Sequence, residues 1–297
     1  MILPSMGLAP IDSLDESSMR KIRRLGCDGV DLQCDSDIQY MESFEADRFK
    51  RLLEETGLRL SCVSNVHDVE RISSPSPSVR REAYRRAQWT LELAVSLEVT
   101  RVRLYFGCPD LSALFYRHSE QVAWEGIVRE TATRALPILQ RARDLGLRVV
   151  IEPHPRQSFF TLDDLDVFSE ILASRRLQFG VAFDPANIVA GGLDPVSYLH
   201  GLGAPDMVHL KDVEIHSGPR VPAGIGWKRY GPGPFVRFRG MGDGQVDWAR
   251  LKSTLGTLNF TGPCVFEMED PTISPLAGLA RAISAAQNFL AGGWDSA

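Results

Sequence analysis

Four polar residues close short apolar runs in the second half of the chain. Glu152 ends VVIE, Asp184 ends GVAFD, His209 sits within DMVHLKD and Glu267 ends CVFE. Acid, acid, imidazole and acid in matching places make a metal-ligand pattern. Three crowded carboxylates repel, and burying them without a cation is costly. A divalent ion removes that cost. Three carboxylate oxygens and one neutral imidazole suit Mn²⁺ best, with Mg²⁺ and Co²⁺ as alternatives and positions left for substrate oxygens. Zinc is less favoured, because no thiolate and only one histidine is offered. Singly, each residue has an ordinary reading: a glutamate can pair with an arginine or cap a helix, and a lone histidine is more often a satisfied core residue. The metal reading rests on all four together.

The elements that must position them alternate. Runs rich in Val, Ile, Leu and Phe are each followed by a longer amphipathic segment, the mark of a parallel sheet with crossover helices. Eight strands are expected, at Ile2 to Leu8, Gly29 to Gln33, Leu58 to Ser64, Arg101 to Phe106, Arg148 to Glu152, Phe179 to Asp184, Met207 to Lys211 and Cys264 to Glu267. Between them SLDESSMRKIRRLG, ADRFKRLLEETG and TLDDLDVFSEILAS read as helices, the first with an acidic first turn, a basic last turn and a glycine stop. The expectation is an α/β chain, one (β/α)₈ TIM barrel domain over residues 1–297. In such a barrel the four residues lie together at the C-terminal mouth.

Residues 213 to 246 break the rhythm. The segment is rich in Gly and Pro and reads as neither helix nor strand, a long loop after strand seven. Trp227, Tyr230, Phe235 and Phe238 among basic residues favour a binding loop or lid over a linker. Arg237 and Arg239, with Lys228 and Arg229, could grip a carboxylate or phosphate; a solvated basic loop is equally open.

Composition narrows the function classes. The 297 residues are 44% hydrophobic and 24% charged, with a net charge of −5, so nucleic acid and anionic membrane are poor partners. Five scattered cysteines without a CxxC pair argue against a disulfide framework and for a cytoplasmic protein. No apolar run approaches the roughly 20 residues that span a bilayer. No GxGxxG or P-loop pattern points to a nucleotide.

In order and spacing, IEPHP, FDPANI, VHLKD, GDGQVDW and FEMED resemble the sugar phosphate isomerase/epimerase superfamily of xylose isomerase-like TIM barrels, over nearly the whole chain. This group includes D-tagatose 3-epimerase, hydroxypyruvate isomerase and inosose dehydratase relatives. The resemblance implies one divalent metal on Glu152, Asp184, His209 and Glu267, and a carbohydrate substrate. It also implies catalytic roles for Glu152 and Glu267, one on each face of the substrate, moving a proton next to a carbonyl through a metal-stabilised enediolate. Arg156 falls where ketose epimerases carry an arginine, and Arg239 where they carry one before the Gly-rich turn. Lys211 shares a strand face with His209, so a substrate contact and a structural ion pair are both open. Two positions depart from the pattern: Asn187 replaces a histidine and Ser158 a glutamate. His154 could supply a replacement acid or base, or stand idle. His154, Arg156, Asn187, Lys211 and Arg239 are therefore the expected substrate contacts.

The first function reading is a metal-dependent isomerase or epimerase of a sugar or sugar derivative. The alternative is a lyase or dehydratase eliminating from a keto sugar or inosose on the same site. An endonuclease IV-like repair enzyme would need more histidines than the six present. A homo-oligomer or a partner-subunit role is also expected.

Overall fold

The computed structural model describes residues 2–7, 16–35, 44–110, 114, 123–216, 229–230, 233–234, 236–270 and 272–290. Its parallel strands are β1 Ile2–Gly7, β2 Gly29–Gln33, β3 Arg59–Asn65, β4 Arg101–Leu104, β5 Arg148–Ile151, β6 Gly180–Phe183, β7 Met207–Ile215 and, near the C-terminus, Cys264–Phe266. Each pairs in parallel with its neighbour from β1 to β7, and Cys264–Phe266 joins β7 to β1. The ring of pairings closes, and the chain is a TIM barrel, as expected. The helices α1 Glu16–Arg24, α2 Ala46–Thr56, α3 Pro77–Ser96, α4 Trp124–Asp144, α5 Leu162–Ala173, α6 Pro185–Ala190, α7 Pro195–Leu202, α8 Trp248–Thr257 and α9 Pro275–Leu290 lie along the connections. None of the described helices is long and apolar enough to cross a membrane. None of the five cysteines forms a disulfide.

Local chemistry explains the element boundaries. Gly57, at φ 67°, ends α2 in the left-handed conformation that costs glycine little. Thr161 and Asp164 start α5 with a reciprocal capping box. Asp184 starts α6: its Oδ1 accepts from the backbone N–H of Ala186 at 2.8 Å and of Asn187 at 3.3 Å.

Strand seven departs from expectation. It runs on to Ile215 because its outer half pairs antiparallel with a further strand, β8 Val236–Gly240, in register from Lys211 opposite Gly240 to Ile215 opposite Val236. The barrel's last strand, Cys264–Phe266, is accordingly β9. The segment 213–246 thus begins and ends as a two-stranded ribbon, with a small pairing of Arg229–Tyr230 with Gly233–Pro234 between. The density of Gly and Pro masks the strand alternation of VEI and VRFRG. Trp227, Lys228 and Phe235, and the side chains of Arg229 and Tyr230, lie outside the described residues, and with them the lid reading. Buried Asp212 ties down the ribbon's return, accepting from the N–H groups of Val213, Gly242 and Val246 and from Trp248 Nε1 at 2.8–3.1 Å.

Side-chain alternation sets what reaches the mouth. Cys62, Val150, Ala182, Met207 and Val265, from β3, β5, β6, β7 and β9, pack as a separate buried cluster inside the barrel. Two residues further along, the chain again points inward, at Ser64, Glu152, Asp184, His209 and Glu267. An apolar layer therefore floors a polar one. The wall behind β5 is aromatic: Phe159 and Phe168 stack with centroids 4.1 Å apart, and Phe106 meets both edge-on. Phe168→Ala should cost about 3–5 kcal/mol of stability by the loss of a fully buried ring, measurable as a lowered denaturant midpoint.

Candidate metal centre

The four expected ligands meet. One donor atom each from Glu152, Asp184, His209 and Glu267 lies within 4.8 Å of the others, and all four residues are buried. His209 Nδ1 is 3.4 Å from Glu267 Oε1, 3.6 Å from Glu152 Oε1 and 3.8 Å from Asp184 Oδ2. Asp184 divides its oxygens. Oδ1 caps α6, and Oδ2 faces the cluster beside the Lys211 ammonium.

Three residues that sequence reasoning did not single out join the cluster. Arg103, the third residue of β4, places Nη1 2.6 Å from both Glu152 Oε2 and Glu267 Oε1 and 3.3 Å from His209 Nε2. Behind it, Arg103 Nε donates to Ser64 Oγ at 3.1 Å, and Ser64 in turn donates to the Asp31 carboxylate at 3.1 Å. Asp31 is wholly buried, and its carboxylate stands 3.9 Å from Arg103 Nη2. The only signal for Arg103 was an arginine inside a four-residue barrel strand, where apolar residues dominate. Nothing in the sequence paired it with Asp31.

Lys211 lies 2.7 Å from Asp184 Oδ2, 2.8 Å from Glu267 Oε2 and 3.5 Å from Glu269 Oε1, with the Phe238 ring 4.3 Å away. It makes an ion pair with the cluster and lines the cavity in front of it. Asn187, an expected substrate contact, is not among the residues that line the cavity in front of the cluster. Its Nδ2 donates to Glu152 Oε1 at 2.7 Å, so it orients one of the candidate donors. Ser158 is buried against the hydroxyl of Thr131 at 3.0 Å, a packing role. Gln157 links the loop to β4, donating to the Glu152 carbonyl and accepting from Phe106 N–H.

Electrostatics follow from this crowding. Burial opposes ionisation of Glu152, but His209 and Arg103 prevail and bring it down to about 2. Glu267 also lies well below the usual range: burial raises it, and His209, Lys211 and Arg103 more than offset that. Burial alone would lower His209, yet the Glu267 and Glu152 carboxylates push it up to about 10. The acids thus recruit every available cation. His154 goes the other way, to about 3, through burial and the nearby Lys211 and Arg156 charges against the pull of Glu152. Its ring is neutral, and Nδ1 accepts from Arg156 N–H at 3.1 Å.

The residues fit a divalent cation. Around the donor set, Glu152, Asp184, Glu267, Asp31 and Glu269 supply five carboxylates against the permanent charges of Arg103 and Lys211. A doubly charged ion would offset most of the excess.

The mouth opens as a cavity of 310 Å³. Glu267, Arg103, Lys211, His154 and Arg156 line it, together with Gln33, His67, Glu70 and Tyr105; Glu152, Asp184 and His209 do not. Arg239 lies elsewhere, paired with Asp270 at 3.2 Å and Glu214 at 3.7 Å. Its strand alternation carries it to an acidic partner outside the mouth.

Comparison with known proteins agrees with this architecture. No curated protein sequence matches the chain. Solved structures do, at identities that speak for the fold alone. The 3-keto-D-glucoside 4-epimerase YcjR of E. coli shares 16% identity over 97% of this chain and 98% of that one, with TM-score 0.69. The probable 3-DHS dehydratase AsbF of Bacillus anthracis shares 17% over 96% and 98%, with TM-score 0.67. The IOLI protein, solved with a bound zinc atom, shares 14% over 99% of each chain, with TM-score 0.68. The family model described as xylose isomerase-like TIM barrel matches residues 19–291, so the chain belongs to that family.

Proposed function

We propose that the chain is a divalent-metal-dependent isomerase or epimerase acting on a sugar or sugar derivative, which it attacks by removing a proton next to a carbonyl. The observation behind this is the buried set of Glu152, Asp184, His209 and Glu267, which opens through Glu267 onto a 310 Å³ cavity. That volume sits at the lower end of the range for small-molecule sites. Mn²⁺ suits the donor set best, with Mg²⁺ or Co²⁺ as alternatives. A bound ion would polarise the substrate carbonyl as a Lewis acid and so acidify the neighbouring C–H.

The side chains divide the remaining work. Asp184 and His209 serve as ligands only. Glu267, ionised and on the cavity wall, takes the proton. Glu152 is turned toward Asn187, Arg103 and His209, behind the wall. A single wall base suits transfer of a proton between adjacent carbons on one face of the substrate. Inversion at one carbon would require Glu152 to reach the opposite face. Neutral His154 and the Lys211 ammonium offer hydrogen bonds to substrate oxygens, and Arg156 stands at the rim. Arg239 is left out of this assignment because it lies outside the cavity.

A lyase is the second reading, favoured by the same asymmetry. Proton removal by Glu267 followed by loss of a β-hydroxyl also needs only one wall base. The likeness to a dehydratase fold is compatible with it.

Incubation of the Mn²⁺-loaded protein with a panel of ketoses, aldoses and 3-keto sugars in deuterated water separates these outcomes by NMR. One-base isomerisation yields product with partial deuterium at the migrating position, and two-base epimerisation yields full deuteration at an inverted carbon. Elimination yields a product lighter by one water, and no turnover with any member would count against the proposal. Removal of metal with EDTA should abolish turnover, and Mn²⁺ should restore it. Glu267→Gln should lower kcat by about 10²–10⁴-fold while leaving the circular dichroism spectrum unchanged.

A further inference from the structure

The donor set already contains a cation that belongs to the chain. Arg103 Nη1 stands 2.6 Å from Glu152 Oε2, 2.6 Å from Glu267 Oε1 and 3.3 Å from His209 Nε2, so it touches three of the four ligand residues. All four donors fit within 4.8 Å. A guanidinium nitrogen and a metal ion cannot share that space, since their charges repel and both would use the same oxygens. On its far side the guanidinium has somewhere to go. Nε is bonded to Ser64 Oγ, Ser64 is bonded to Asp31, and Asp31 Oδ2 lies 3.9 Å from Nη2. Asp31 is fully buried, and Arg103 is its only ion-pair partner among the described residues. A shift of about 1 Å would turn this distant pair into a hydrogen-bonded one and free the Glu152 and Glu267 oxygens.

We propose that Arg103 is a resident counter-cation that exchanges with the metal: it neutralises the glutamates when no ion is bound and withdraws along Ser64 onto Asp31 when one enters. This rests on the metal reading above. Arg103 acts here as a positioning residue, and Asp31 sets how readily it yields the site. The exchange keeps Glu152 and Glu267 beside a cation in either state, and so limits the cost of an unpaired charge in a fully buried acid cluster.

Mn²⁺ affinity, measured by calorimetry on the full chain after removal of bound metal, tests the exchange independently of turnover. Arg103→Met removes the competitor and should tighten Mn²⁺ binding by about tenfold or more, given the strength of a like charge at a few ångströms. The same variant should lower the Tm of the metal-free protein, with added Mn²⁺ recovering more of the Tm than it adds to the wild type. Asp31→Asn removes the refuge and should weaken binding by about tenfold or more.

Asp31 also attracts a cation through space, so the double variant is decisive. If Asp31 works through Arg103, Asp31→Asn should change affinity far less in the Arg103→Met background than in the wild type. Equal effects in the two backgrounds, or weaker Mn²⁺ binding by Arg103→Met, would overturn the exchange. Should Arg103→Met fail to fold without metal, Arg103→Lys takes its place in the cycle. Its shorter reach should loosen the grip on the glutamates and tighten Mn²⁺ binding, and unchanged affinity in both Arg103→Lys and Asp31→Asn sinks the proposal. A wild-type protein that binds none of Mn²⁺, Mg²⁺, Co²⁺ or Zn²⁺ would instead refute the metal reading, and the exchange with it.

Discussion

Acidic side chains cannot be gathered inside a barrel unless positive charge is gathered with them. Glu152, Asp184 and Glu267 are all nearly inaccessible to water, and in a medium of low dielectric their mutual repulsion is poorly screened. The rest of the mouth answers that constraint. Lys211 comes from β7, Arg103 crosses from β4, and His209 is drawn toward its charged form. Asp31 and Ser64 then hold the far side of the arginine. Seven of the eight barrel strands are thereby tied to one point, beyond the hydrogen bonds that tie each to its neighbour.

Much of this was legible in the sequence, because two periodicities did the placing. The helical period and the glycine stops marked where each crossover began and ended, so the eight barrel strands fell within a few residues of their expected bounds. The period of two along a strand then put Glu152, Asp184, His209 and Glu267 on the face that points inward, each two residues beyond an apolar member of the buried floor. The candidate ligand set could be read because Glu152, Asp184 and Glu267 directly follow their strands and His209 holds the matching inward position on β7.

What escaped has a common physical cause. Arg103, Asp31 and Ser64 are joined by tertiary contacts across neighbouring strands, and one strand alone carries no sign of the other. For Asn187, expected as a substrate contact, the position is legible in the chain but the direction of its amide, toward Glu152, is not. The place of Arg239 in the chain suggests a substrate contact, whereas the folded contacts pair it with Glu214 and Asp270. The ribbon of β7 and β8 was hidden by glycines and prolines that ordinarily signal irregular chain. The position of a charged group can be read from periodicity, but its partner comes from the folded contacts.

The shared role of Asp184 has a consequence for coordination number. One of its oxygens is committed to the first turn of α6, so toward a bound cation it would offer Oδ2 alone, and a chelating mode would compete with the helix cap. On Glu152, Oε1 already accepts the Asn187 hydrogen bond, which leaves it one lone-pair direction. A hard cation that prefers about six oxygen or nitrogen donors would then find too few within the protein to saturate it. Unfilled positions on such an ion would be a built-in demand for oxygens from outside, and a helix cap would help to set how large that demand is.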